Sequence, residues 1–242
     1  MCTLTYLLNE NGYEIFFNRD EQRARLPAIL PTIDQTLNAI YPLDPQGQGT
    51  WLAVNQQGLT LALLNYYQAP LNTNHHIVSR GQVILSLLSS KQDILVQLNA
   101  MDLHVYQPFQ LCVFPNNLSK ASRTMYSVKW TGRELLLDDI GLPVTSSSLD
   151  FANVSQKRAQ KFARLVDAHQ PSSAQLKNYH FSTDAIGKHS VNMHREDAQT
   201  VSIAHISVNN TIRFNYLDNV LKQEHSVTFE RVKALSTSEN MR

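Results

Sequence analysis

Cysteine is nearly absent, with two in 242 residues, Cys2 and Cys112. A pair cannot build a disulfide framework, and so sparse a use of thiols fits a reducing compartment. No apolar run approaches the ~20 residues of a membrane helix. There is also no basic segment with an apolar core behind it at the start, because Asn9, Glu10 and Asn11 interrupt the first apolar run. A cytoplasmic protein with no membrane span is therefore expected. A net charge of +1 leaves no electrostatic footprint for nucleic acid. Gly47-Gln48-Gly49 lacks the third glycine and helix of a dinucleotide loop, and no P-loop follows elsewhere. No HExxH, CxxC or carboxylate cluster supports a metal centre, so no metal and no cofactor are expected. His75-His76 lies in a polar stretch, and His189 and His194, five apart, face opposite sides of a strand.

What is present is an ordinary globular composition, 43% hydrophobic and 17% charged, on a length that buries a core. Thr3–Leu8 and Tyr13–Asn18 read as strands around the turn signal Asn11-Gly12, and 25–45 as a proline-containing loop. Thr50–Asn55 and Leu59–Tyr67 form a second hairpin around Gln56-Gln57-Gly58. The period then changes, and residues 80–101 carry two helices. Strands return at Gln110–Phe114, Thr124–Trp130 and Arg133–Leu137. Ser155–Ala168 is an amphipathic helix with Phe162, Leu165 and Val166 inward and Lys157, Arg158, Lys161 and Arg164 outward. Ser190–His194, Thr200–Val208 and Thr211–Leu217 are late strands, before a loose tail at 236–242. The order predicts one α+β domain with antiparallel sheets over 1–242.

Strand parity isolates one pair of residues. If Asn11-Gly12 is a two-residue turn, Cys2 faces Glu21 and Arg19 faces Leu4; if the loop is Asn9–Gly12, Cys2 faces Arg19 directly. In both registers Cys2 and Arg19 share a face, ~5 Å apart if opposite or ~7–8 Å if diagonal, and Asp20 points to the other face. A guanidinium lowers a thiol's pKa from near ~8.5, and the thiolate is the nucleophile. Were Met1 removed, Cys2 would also carry an α-amine, with a pKa of roughly 7.7–8.0, able to act as base for its own side chain. The alternative is a half-buried strand cysteine beside a surface arginine. Cys112 in FQLCVF reads as a core thiol, and Trp51 and Trp130 as core residues or pocket lining.

Met1-Cys2, Asn18-Arg19-Asp20-Glu21 (NRDE), Gly49–Asn55 (GTWLAVN), Gly58 and Asn65-Tyr66 together resemble the NRDE, or transport-and-Golgi-organisation-2, family. The segment Ser190–Ala198 (SVNMHREDA), which contains Asn192 and Arg195, resembles a recurrent stretch of bacterial members. The hairpin through Asn65-Tyr66 is also similar to that of choloylglycine hydrolases and penicillin V acylases. The resemblance implies an N-terminal-nucleophile (Ntn) hydrolase fold: a four-layer αββα sandwich of antiparallel sheets with the nucleophile on a central strand. It implies a catalytic group of Cys2, Arg19, Asp20 and Asn65, the last an oxyanion donor, and substrate contacts at Tyr66, Ser147, Asn192 and Arg195. The chain departs from the choloylglycine pattern in two places. Their acid follows the arginine at a longer spacing than Asp20 does, and Ser146-Ser147-Ser148 stands where their second asparagine lies before a helix. Ser147 is alternatively a loop and N-cap residue, and Arg195 a salt-bridge partner of Glu196 or Asp197.

Two functions follow from the resemblance. One is a hydrolase that cleaves a linear amide of a small-molecule substrate through a thioester on Cys2 after Met1 is removed. The other is a non-catalytic carrier that uses the same cavity for an apolar or haem-like ligand. The sequence leaves the oligomeric state open.

Overall fold

The computed structural model describes residues 1–73, 77–90, 92–184 and 187–232; the His75-His76 pair and the tail from Ser236 lie outside them. In chain order the elements are β1 (Cys2–Asn9), β2 (Gly12–Gln22), β3 (Ile29–Asp34), β4 (Ala39–Leu43), β5 (Leu52–Asn55) and β6 (Thr60–Asn65). Helices α1 (Gly81–Leu88) and α2 (Ile94–Ala100) follow, then β7 (Phe109–Phe114), β8 (Tyr126–Trp130), β9 (Leu135–Asp138) and β10 (Val144–Ser146). Helices α3 (Phe151–Leu165) and α4 (Ser173–Phe181) precede β11 (Ala198–Val208), β12 (Thr211–Asp218) and β13 (Gln223–Glu230).

The strands form two antiparallel sheets, ordered β10-β1-β2-β11-β12-β13 and β3-β4-β5-β6-β7-β8-β9. Period-2 alternation sends one set of side chains from each sheet into a shared core, with Leu4, Ile15 and Phe17 meeting Leu52, Val54 and Phe114. The outer face of the second sheet is covered by Val83, Ile84 and Leu87 of α1 and Ile94 and Leu98 of α2. On the outer face of the first sheet, Leu7 and Phe16 pack against Leu176 and Tyr179 of α4 and Phe162 of α3. The result is the expected α+β sandwich of helices, sheet, sheet and helices. Tyr13 ties the sheets together, its hydroxyl donating to the Gly58 carbonyl at 2.6 Å and lying 2.8 Å from Thr60 Oγ1.

The register of the first hairpin decides the site. Asn9 pairs with Gly12 and Cys2 with Arg19, so the turn is Glu10-Asn11 and not Asn11-Gly12. Gly12 serves another purpose: a Cβ there would lie 1.8 Å from the Val208 carbonyl oxygen. The glycine is needed for β11 to pass, not for a turn.

Several local expectations are corrected. The 25–45 stretch contains β3 and β4, whose Pro31 and Pro42 are tolerated because β3 is an edge strand and β4 pairs with β5 only at Ala39 and Ile40. Residues 190–194 are irregular and form no strand, although a bridge between His194 and Gln199 and hydrogen bonds from Thr200 N to the Met193 carbonyl at 2.9 Å and from Met193 N to Thr200 Oγ1 at 2.7 Å tie them to β11. Helix α3 starts and ends earlier than its apolar pattern suggests, and Arg158, expected on its outer face, is buried at 1% exposure.

Candidate functional site around Cys2

Because β1 and β2 project Cys2 and Arg19 from one face, both side chains point between the sheets at one end of the core. There they line a cleft of about 300 Å³ that also takes in Trp51, Asn65, Tyr67 and Arg80. A roomier hollow of about 370 Å³ lies on the outer face against Phe16, Phe181 and His205, but no cysteine lines it; Cys2 borders the smaller cleft.

Arg19 is 6% exposed and its guanidinium stacks over the Trp51 ring at 4.1 Å. Its Nη2 lies 3.3 Å from Glu21 Oε2 and 3.4 Å from Asp44 Oδ2, and Asp44 is shared with Arg25. With its charge committed in this way, Arg19 has the weakest of the pulls on Cys2. Burial pushes the Cys2 thiol above its ordinary pKa. The N-terminal ammonium and the Asp20 backbone N–H oppose that rise, and the Asp20 carboxylate adds to it. With Met1 in place the thiol is therefore protonated at neutral pH.

Met1 itself is held. Its ammonium donates to the Asp20 carbonyl at 3.1 Å, its carbonyl accepts from Asp20 N at 2.8 Å, and its side chain sits against Met193 and Ala198. Ser147 Oγ lies 2.7 Å from the Met1 sulfur and also bonds the Leu149 carbonyl, so Ser147 contacts Met1 and stabilises a turn.

Asp20 points away from the thiol, as parity requires. Its carboxylate is 3.0 Å from Arg158 Nη2 and accepts from Thr200 Oγ1 at 2.6 Å. Arg158 donates as well to the Ser190 carbonyl at 2.8 Å, the Cys2 carbonyl at 3.4 Å and Thr3 Oγ1. Asp20, which also borders the cleft, and Arg158 thus fix the backbone at Cys2 from the helical side, with the Asp20 carboxylate turned to Arg158 and Thr200. Arg158 had a sequence signal: with Val154, Phe162 and Leu165 it falls at i, i+4, i+8 and i+11 of one helical face.

Asn65 ends β6 within the cleft, its Nδ2 donating to the Tyr67 hydroxyl at 2.6 Å, which leaves one amide hydrogen uncommitted. Its carbonyl accepts from Ser146 Oγ at 2.7 Å. The remaining candidates lie apart. The Tyr66 ring faces Lys129 at 6.0 Å, and Tyr67, past the end of β6, lines the cleft instead. Asn192 accepts from Asn219 at 3.0 Å, and Arg195 makes a two-point salt bridge with Asp197 at 3.0 and 2.9 Å. Arg25, Asp44, Tyr67 and Arg80 carried no motif; the chain brings them to Cys2 from the connection after β2, the end of β4, the end of β6 and the start of α1. Among the described residues no three His, Cys, Asp or Glu side chains are placed to hold a metal ion, and no helix is long and apolar enough to cross a membrane.

Fold and site together define a two-sheet α+β sandwich with a second-position cysteine at the floor of a charged cleft. Residues 1–215 match the family model for Transport and Golgi organisation 2, and the chain belongs to that family. It is also 30% identical over 111 residues to the Transport and Golgi organization protein 2 homolog of Bos taurus, a match that spans 43% of this chain and 40% of that protein.

Proposed function

We propose that the protein is an N-terminal-cysteine hydrolase of a linear amide, active once Met1 is removed. The observation that carries this reading is the direct pairing of Cys2 with Arg19 on the cleft-facing side of the hairpin. Removal of Met1 leaves the Cys2 amine beside its own thiol, where Asp20 and Arg158 hold the strand end. The amine takes the thiol proton and the sulfur attacks the amide carbonyl carbon. The C–N bond then breaks, the proton passes to the departing amine, and the acyl group remains as a thioester. Water attacks the thioester carbonyl with the amine again accepting a proton, the C–S bond breaks, the proton returns to the Cys2 sulfur, and the acid leaves. The free hydrogen of the Asn65 amide is available to the oxyanion, a donor whose loss typically costs ~10²–10³ in rate.

The charged lining of the cleft, with Arg19, Arg25, Arg80, Glu21 and Asp44, favours a polar substrate over the apolar or haem-like cargo of a carrier. Intact mass of protein purified from its own host tests the reading. Loss of Met1 is expected; uniformly retained Met1 would leave the amine misplaced and sink the hydrolase.

A further inference from the structure

The arginines of the cleft are not equally satisfied. Glu21 and Asp44 face three guanidiniums, those of Arg19, Arg25 and Arg80, while Asp20 is committed to Arg158. Arg19 takes both acids and Arg25 takes Asp44. Among the described residues Arg80 has no carboxylate within ion-pair distance. Its Nη1 donates to the Pro108 carbonyl at 3.0 Å and the guanidinium is within hydrogen-bonding reach of the Tyr67 hydroxyl; of its five N–H donors these two contacts leave others free.

Other donors on the same lining lack acceptors. Trp51 is only 7% exposed, yet its indole N–H has no partner, and the Nε of Arg25 has none either. A buried donor left unpaired is costly, and one beside a cavity is satisfied by whatever the cavity receives. Arg80 is also fixed in position. The next residue, Gly81, packs backbone to backbone on β5's approach, with Thr50 N donating to the Gly81 carbonyl at 3.1 Å and a Gly81 Cβ only 2.8 Å from Thr50 N. The guanidinium is thereby held in register with Trp51 and Cys2.

We infer that the substrate carries a free carboxylate, and that Arg80 binds it beside Cys2. The inference rests on the reading of this cleft as the site of an amide substrate and narrows it to amides such as N-acyl amino acids. One uncompensated guanidinium with donors along a planar edge suits a singly charged planar carboxylate, whereas a doubly charged phosphate asks for a second free cation. Arg80 is a specificity residue here: it selects the substrate and takes no part in the proton transfers.

The test is alkylation of Cys2 by 3-maleimidopropionic acid and by its isosteric amide, read by peptide mass spectrometry in the full-length protein. The acid-to-amide rate ratio is expected to exceed that of a small free thiol in the same buffer. Arg80→Gln should lower it about tenfold, the factor that one charge-assisted hydrogen bond supports, and Arg80→Lys should keep most of it. An unchanged ratio in Arg80→Gln overturns the inference. So does a wild-type ratio no higher than the free thiol's, a comparison that stands even if the variants do not fold. Alkylation needs only the Cys2 thiol, so absent hydrolysis would refute the proposed activity and leave the ratio intact, while a lost ratio would refute Arg80's role and leave the nucleophile untouched.

Discussion

The ion pair between Asp20 and Arg158 offers a quantitative test of how the fold holds Cys2. The two side chains are 1% and 0% exposed and 3.0 Å apart, and Arg158 also bonds the Ser190 carbonyl and the backbone at Cys2. Removing the arginine leaves a carboxylate in the interior with the Thr200 hydroxyl as its remaining partner. Breaking one side of a buried pair typically costs ~3–5 kcal/mol, so Arg158→Met should lower the melting temperature by about 6 to 20 °C for a domain of this size. Removing both charges is a different perturbation. In Asp20→Asn/Arg158→Met no unpaired charge remains, and the double variant should be more stable than Arg158→Met alone. Urea denaturation of the four proteins in the cycle gives the coupling. Costs that add to within ~0.5 kcal/mol, as independent sites do, would refute the claim that these two groups act as one unit.

Other consequences follow from the buried groups and the close contacts. His180 is fully buried, accepts from Thr5 at Nε2 and donates from Nδ1 to Asn18 Oδ1, and burial pushes its pKa down to about 3, with Arg158 and His205 adding to the shift. The unfolded chain binds a proton there below about pH 6.5 that the folded form refuses. Stability should therefore fall between pH 6.5 and 5 by up to ~1.4 kcal/mol per pH unit; an equal fall in His180→Gln would count against this. In Gly49→Ala the added Cβ would lie 2.4 Å from the Gly81 carbonyl carbon, a backbone clash that should cost ~1–3 kcal/mol by chemical denaturation and displace Arg80; wild-type stability would argue against the tight start of α1. Cys112 is fully buried in the shared core and its thiol is pushed up to about 12, so native alkylation should modify Cys2 alone, and modification of both would contradict the packing.

Much of the fold could be read from periodicity. The two hairpins, the helix pair at 80–101 and the long strands β11 and β12 each carry a pattern that their burial follows. The missed elements are those whose pattern is weak for a physical reason. Strands β3 and β4 carry proline, β10 has three residues, and β13 is an edge strand with a half-buried face. Helix α4 was signalled by its Ser172–Gln175 capping box, although its apolar face is short. In the site, parity alone placed Cys2, Arg19 and Asp20 on their faces. It could not choose the register, because that choice depends on Gly12 meeting β11, a contact between residues nearly two hundred positions apart. Arg80, Tyr67, Arg25 and Asp44 were illegible for the same reason: connections that carry no local signal deliver them to the cleft.

The most direct measurement is the acylation of Cys2 by an electrophilic acyl probe, located by peptide mass spectrometry, in Met1-free protein and in protein whose N-terminal tag keeps the α-amine off Cys2. A thioester on Cys2 is expected in the Met1-free form and little or none in the tagged form, whose half-buried thiol has no adjacent base. Equal acylation of the two forms, or no adduct on Cys2 in either, would contradict the proposed mechanism.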